Sequence, residues 1–119
     1  MEITEPSPQQ MKQIFAMEQD GPVVFVNLLK FNPDGGAEGF ARYSEEFNKL
    51  MGPKGVNSVF QGKGLMSLIG EEEWDLVAAV LYPTIATWQT MVQDEEYHKI
   101  SHHRSGAILD ARLIITEQI

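Results

Sequence analysis

Apolar residues recur along this chain at helical spacing in some stretches and run almost unbroken in others. Met11, Ile14 and Phe15, with Met17, are spaced as one helix face requires. Ser7-Pro8-Gln9-Gln10 precedes them with a serine cap, a proline at the first helical position and a glutamine placed to close a capping box. A short helix ending near Asp20-Gly21 is predicted. Pro22 to Phe31 is dense in valine, leucine and phenylalanine and runs into Asn32-Pro33-Asp34-Gly35-Gly36, a strand followed by a turn. From Glu38 to Met51, Phe40, Tyr43, Phe47 and Leu50 form one face of an amphipathic helix that Gly52-Pro53 ends. Asn57 to Ile69 reads as a second strand, bulged or bent at Gly62 and Gly64, and Gly70-Glu71-Glu72 turns it into a third, Glu73 to Tyr82. Pro83-Thr84 opens a helix with Ile85, Trp88, Met91 and Val92 on one side. Asp94 caps a further helical stretch whose inward stripe is Tyr97, Ile100, Arg104 and Ile108. Ala111 to Glu117, centred on Leu113-Ile114-Ile115, is the last strand.

This order is a split βαβ pattern, an α+β domain with four antiparallel strands beneath two helices and an extra N-terminal helix. A sheet with one wet side should alternate apolar and polar residues. These strands do not. In the first, Val23, Phe25, Leu29 and Phe31 oppose Val24, Val26 and Leu28; in the third, Trp74, Leu76 and Val80 oppose Val77, Ala79 and Leu81. Two helices cover one face only. Either a second copy of the chain buries the other, giving a homodimer through the open sheet face, or the N-terminal helix folds over it in a monomer.

A length of 119 residues fits one domain, with residues 1–21 as a helical extension and 22–118 as the core. The 17 acidic and 9 basic residues leave a formal charge of −8 with no basic stripe, so nucleic acid lacks its main electrostatic attraction and is not an expected partner. The chain has no cysteine, which removes disulfides, thiolate metal sites and cysteine nucleophiles together. The first ten residues hold two glutamates and no lysine or arginine, unlike a secretory signal, and no apolar run approaches the roughly 20 residues of a membrane span. A cytoplasmic protein without membrane contact is the expectation.

Few residues stand out chemically. Asn27 falls in phase with Phe25 and Leu29, where a buried amide either orients a ligand carbonyl or bonds between strands. His98, His102 and His103 place two imidazoles at i, i+4, a spacing that reaches one metal or serves a haem ligand, but no third ligand is evident, and an exposed face is the commoner origin of such a cluster. Neither a metal nor a cofactor is expected. Arg104 lies on the apolar phase of its helix and needs a carboxylate, such as Asp75 or Asp94, or an anionic ligand. Tyr43 and Trp74 read as core, interface or pocket aromatics.

Asn27-Leu28-Leu29-Lys30-Phe31, Tyr43, Gly62, Trp74-Asp75, Tyr82-Pro83, and Glu96-Tyr97 followed by Arg104 form an ordered set over residues 22–118 that resembles the bacterial domain of unknown function numbered 1330. The chain departs from that pattern at Gln61-Gly62-Lys63, where the family tends to have Gly-Gly-Arg, and at Tyr82, where it more often has phenylalanine. The resemblance implies a ferredoxin-like fold of the dimeric α+β barrel group, whose members include cofactor-free monooxygenases, haem-degrading enzymes, isomerases and stress-response proteins. It implies a pocket between sheet and helices, with Arg104 and Asn27 as catalytic candidates and Tyr43, Trp74 and Tyr97 as ligand-binding ones. Two readings follow: a small-molecule enzyme of the cofactor-free oxygenase or isomerase class, or a non-catalytic ligand-binding or stress-related homodimer.

Overall fold

A computed structural model describes residues 2–119. The elements are α1 (Pro8–Ala16), β1 (Val23–Phe31), α2 (Gly36–Met51), β2 (Asn57–Lys63), β3 (Leu76–Tyr82), α3 (Ile85–Gln93), α4 (Glu95–Ala107) and β4 (Ile108–Thr116), with a 3-10 turn at Gly52–Lys54. The strands form one antiparallel sheet in the order β2-β3-β1-β4, the ferredoxin-like α+β arrangement. No helix among the described residues is long and apolar enough to cross a membrane.

The caps act as their residue types dictate. The Ser7 hydroxyl accepts from the Gln10 amide at 3.1 Å while the Gln10 side chain accepts from the Ser7 amide at 2.8 Å. Thr84 and Asp94 cap α3 and α4 by accepting from the Thr87 and Glu96 amides. Helix α1 stops at Ala16, earlier than the expected Asp20-Gly21, because Met17 turns extended and packs on the core, and no apolar residue follows to hold another turn.

The second and third strands are shorter than the pattern of apolar residues predicted. β2 ends at Lys63, not Ile69, and β3 begins at Leu76, not Glu73. The last rung is the Gly64 amide donating to the Asp75 carbonyl at 3.0 Å. There the two backbones come so close that a β-carbon on Gly64 would lie 1.8 Å from the Trp74 carbonyl oxygen. Asp75 then turns its bonding to β1: its amide donates to the Leu29 carbonyl at 2.8 Å, and its carboxylate accepts from the Phe31 amide at 2.8 Å. Residues 64–75 leave the ladder as a loop, with Gly70 at φ 100° in its turn. The bulge expected at the glycines falls instead between Ser58 and Phe60. Trp74 is therefore not on strand three with Leu76 and Val80. Ile108 likewise belongs to β4 and not to the helical stripe, since the Asn32 amide takes the Ala107 carbonyl and the chain turns extended after it.

The two faces of the sheet have different fates. All four helices contribute to cores built on Val23, Phe25, Leu29 and Tyr82. Helix α1 joins this side: Ile14 is in the core, Gln89 Nε2 donates to its carbonyl at 2.9 Å, and Phe15 packs on Trp88 at 5.8 Å. The expected alternative of α1 lying over the other face is thereby overturned. Val24, Val26, Leu28, Val77, Ala79 and Leu81 belong to neither core, and their alternation puts them on the opposite face. The segment before α1 shields an edge, with Ile3 donating to the Asp110 carboxylate and accepting from the Ala111 amide, both at 2.8 Å.

Candidate functional site

The helix-covered side holds two hydrophobic clusters and a seam between them. One is centred on Phe25, Tyr43, Phe47, Tyr82 and Ile85; the other on Leu29, Ala107 and Ile108. In register across β4, β1 and β3, the row Leu113, Asn27 and Ala78 belongs to neither. Asn27 is half-buried although its neighbours in phase, Phe25 and Leu29, are 2% and 1% exposed. A central-strand residue stays reachable on a covered face only where the layer above it is notched.

Asn27 Nδ2 donates to the Phe25 carbonyl at 3.3 Å and, at 3.5 Å, to the Ala78 carbonyl on β3. The inter-strand bond is thus present, and it uses the amide nitrogen only. Among the described residues no donor meets Asn27 Oδ1, and no buried side-chain nitrogen or oxygen lacks a partner. Its carbonyl oxygen therefore opens to solvent.

Helices α2 and α4 bring Tyr43 and Tyr97 together across the layer, their hydroxyls 2.9 Å apart and their rings edge-to-face. Burial, and after it the Tyr97 hydroxyl, push Tyr43 well above the usual phenol range, while the Arg104 guanidinium pulls it down. Tyr82 is raised for the same first reason and is likewise opposed by Arg104. Arg104 thus stands within electrostatic reach of both buried phenols. Neither acid expected to pair with it does so. Asp75 is bound to β1, and Asp94 caps α4 and meets Lys54 at 3.6 Å. Among the described residues the half-buried Arg104 side chain makes no ion pair or hydrogen bond.

The structure thus groups Tyr43, Tyr97 and Arg104 on the helix side of the sheet that also carries Asn27, and separates Trp74 from them. Trp74 lies beneath the Arg112 guanidinium, 5.4 Å from its ring centre, and Arg112 in turn meets Asp110 at 2.7 Å and Glu72 at 3.7 Å. Arg112 is in register with Leu28, so this cluster belongs to the open face. Its signal in the sequence was a pair of opposite charges two positions apart, Asp110 and Arg112, just before the apolar run Leu113-Ile114-Ile115. The Tyr43–Tyr97 contact had none, since it depends on how two helices cross.

The histidines are elsewhere engaged or exposed. His98 Nε2 lies 2.6 Å from the Val92 carbonyl, and the rings of His102 and His103 stack with centroids 4.0 Å apart. Among the described residues no group of three histidine, cysteine, aspartate or glutamate side chains could hold a metal. Two surface clefts, of about 380 and 490 Å³, are lined by Lys54 and α3 residues and by Lys30 to Glu38 with Asp75 and Leu109. Neither includes Asn27, Tyr43, Tyr97 or Arg104.

No protein-family model matches the chain, and no curated protein does. Solved structures do. The RPA0582 protein of unknown function from Rhodopseudomonas palustris is 30% identical, with a TM-score of 0.92 over 100% of this chain and 98% of that one. A dimeric protein of unknown function and ferredoxin-like fold from Bacteroides fragilis is 11% identical, with a TM-score of 0.59 over 85% of this chain and 100% of its own. SnoaB, a cofactor-independent oxygenase from Streptomyces nogalater, is 12% identical, with a TM-score of 0.54 over 83% and 94%. The latter two likenesses are of fold.

Proposed function

We propose, from the premise that this chain belongs to the same family as the Rhodopseudomonas palustris protein RPA0582, that it is a homodimeric small-molecule enzyme of the cofactor-free oxygenase or isomerase class. The observation that carries the proposal is Arg104, a half-buried guanidinium without a protein partner among the described residues, two turns along α4 from Tyr97 and within electrostatic reach of Tyr43, whose hydroxyls are bonded to each other. A cation so placed is suited to the negative charge that develops on the oxygen of an enolised carbonyl. Asn27 Oδ1 is the acceptor that would orient a hydroxyl or N–H of the same ligand. The Tyr43–Tyr97 pair retains one hydroxyl proton to donate outward, since only one is used between them. The ligand this set suits is a modest, partly apolar molecule with an acidic or enolisable oxygen.

The ordered residue set described above supports a finer placement of this family within the domain of unknown function 1330, as one folding unit over residues 1–119. The unclad apolar face supports pairing with a second copy, sheet against sheet, as in the dimeric α+β barrel group. One observation favours the second reading, a dimer that binds without turnover. Burial holds the Tyr43 phenol protonated, and the imidazole of His98 is bound to a backbone carbonyl, so neither is free to act as a base.

Turnover of a panel of quinols and lactones by the purified protein tests the proposal. Arg104→Ala should abolish it while the dimer stays folded. Tight binding of a panel member without turnover, weakened by the same substitution, would establish the binder instead. A chain that is monomeric at micromolar concentration would remove the dimer.

A further inference from the structure

The loop between β2 and β3 is built the wrong way round for a solvated turn. Leu65, Met66, Leu68 and Ile69 are 89%, 74%, 87% and 92% exposed, while the polar groups hold the loop in place. Ser67 donates its hydroxyl to the Glu72 carbonyl, Glu72 meets Arg112, and Gly64 and Asp75 close the base. Four large side chains held outward by a fixed frame make an apolar surface prepared for a partner.

We infer that this loop is a dimer arm: its Leu65, Met66, Leu68 and Ile69 pack on the second copy of the chain. The inference rests on the homodimer proposed above and adds to it a contact outside the sheet face. Two observations select the second copy. The root of the loop is continuous with the open face, because Glu72 and Trp74 are both bound to Arg112, whose strand neighbour Leu28 lies on that face. The face alone is also modest in size. Four strands about 4.8 Å apart, 7 to 9 residues long at roughly 3.3 Å each, cover a flat footprint of about 500 Å². Specific associations typically bury about 800 Å² of accessible surface from each partner, so contact beyond the sheet strengthens a pairing on this face. A two-fold axis would apply the arm twice, once from each chain, and so enlarge the contact symmetrically.

Sedimentation equilibrium of the full chain, of the double variant Leu68→Asp with Ile69→Asp, and of the open-face variant Val26→Asp separates the possibilities. The arm variant should keep its far-ultraviolet circular dichroism, since both side chains are exposed in the folded chain, and should dissociate at a concentration at least tenfold higher than the parent. An arm variant that associates as tightly as the parent, while Val26→Asp is monomeric, overturns the arm and leaves the sheet-face dimer standing. A parent that is itself monomeric overturns both. Because the chain lacks cysteine, Leu68→Cys can carry a single polarity-sensitive fluorophore. Its emission should shift to the blue as protein concentration rises through the dimer transition. A shift that appears only with added phosphatidylcholine vesicles assigns the loop to a lipid surface and overturns the inference.

Discussion

The two faces of the same sheet are made of nearly the same residues and do opposite things. On the covered face Val23, Phe25 and Leu29 are sealed by helices and hold the monomer together, yet that face also carries the polar seam around Asn27. On the other, Val24, Val26 and Leu28 are as apolar but join no core, and the polar cluster of Arg112, Asp110, Glu72 and Trp74 sits at one end. Adjacent residues of one strand would thus separate folding from the proposed association. Core packing belongs to odd-numbered positions of β1, and the proposed pairing would fall to the even-numbered ones.

The sharpest way to break this division is to cut the same strand on each side. Phe25→Ala removes a ring packed on Tyr82 at 4.6 Å and Trp88 at 6.1 Å. It should lower unfolding free energy by about 3 to 5 kcal/mol, as large-to-small changes in a closed core do. Val26→Ala, one residue on, should cost the monomer roughly 1 kcal/mol or less, with its main effect on dissociation. Urea unfolding at concentrations above and below the dimer transition reads both. If Val26→Ala destabilised the dilute monomer as much as Phe25→Ala, the two faces would not be distinct.

The polar seam is a smaller test. Tyr97→Phe leaves the Tyr43 hydroxyl without its 2.9 Å partner. Stability should fall by about 1 to 3 kcal/mol, the penalty of a stranded buried hydroxyl. The double replacement of Tyr43 and Tyr97 by phenylalanine should recover much of the loss, because neither side then holds an unmet group.

Two buried phenols give the covered face an alkaline signature. Tyr43 and Tyr82 have folded pKa values raised above the ordinary 10.0. Above pH 10 the unfolded chain loses protons that the folded chain keeps, so their contribution is complete below that pH and is lost as pH rises. The slope approaches ~1.4 kcal/mol per pH unit for each tyrosine. Tyr82→Phe should flatten it, read by denaturant midpoints between pH 9 and about 11.5.

How much of this was legible beforehand follows from what sets each feature. Strand faces are local, so the unbroken apolar runs of β1 and β3 announced two apolar faces, of which the helices cover one. Arg104 was visible through its phase with Tyr97 and Ile100. Its solitude was not, since Asp75 and Asp94 were committed to Phe31 and Lys54 only once the chain was folded. Residues 65–69 misled for a physical reason: Leu65, Met66, Leu68 and Ile69 are apolar as strand residues are, and nothing local distinguishes apolar side chains of a strand from apolar side chains carried outward on a loop. Trp74 went wrong with them, because its partner Arg112 lies 38 positions away.

The weakest effect tests the open face through its charges. The Ile3 amide, and after it Arg112, hold the Asp110 carboxyl below its ordinary 3.8. Its contribution is therefore present above that pH and is lost as pH falls through the lower folded value. For a half-buried pair that still meets water in a dilute monomer this is a modest contribution, because water screens it in part. If a second chain covers the face, Arg112 and Asp110 lose water together, and removing one charge leaves the other stranded. Asp110→Asn should then change dilute-monomer stability little at pH 7 and raise the dimer dissociation constant measurably, an effect that sedimentation at two salt concentrations detects. Equal effects in monomer and dimer would mean that this corner of the sheet stays wet, and would confine the pairing surface to Val26, Ala79 and their neighbours.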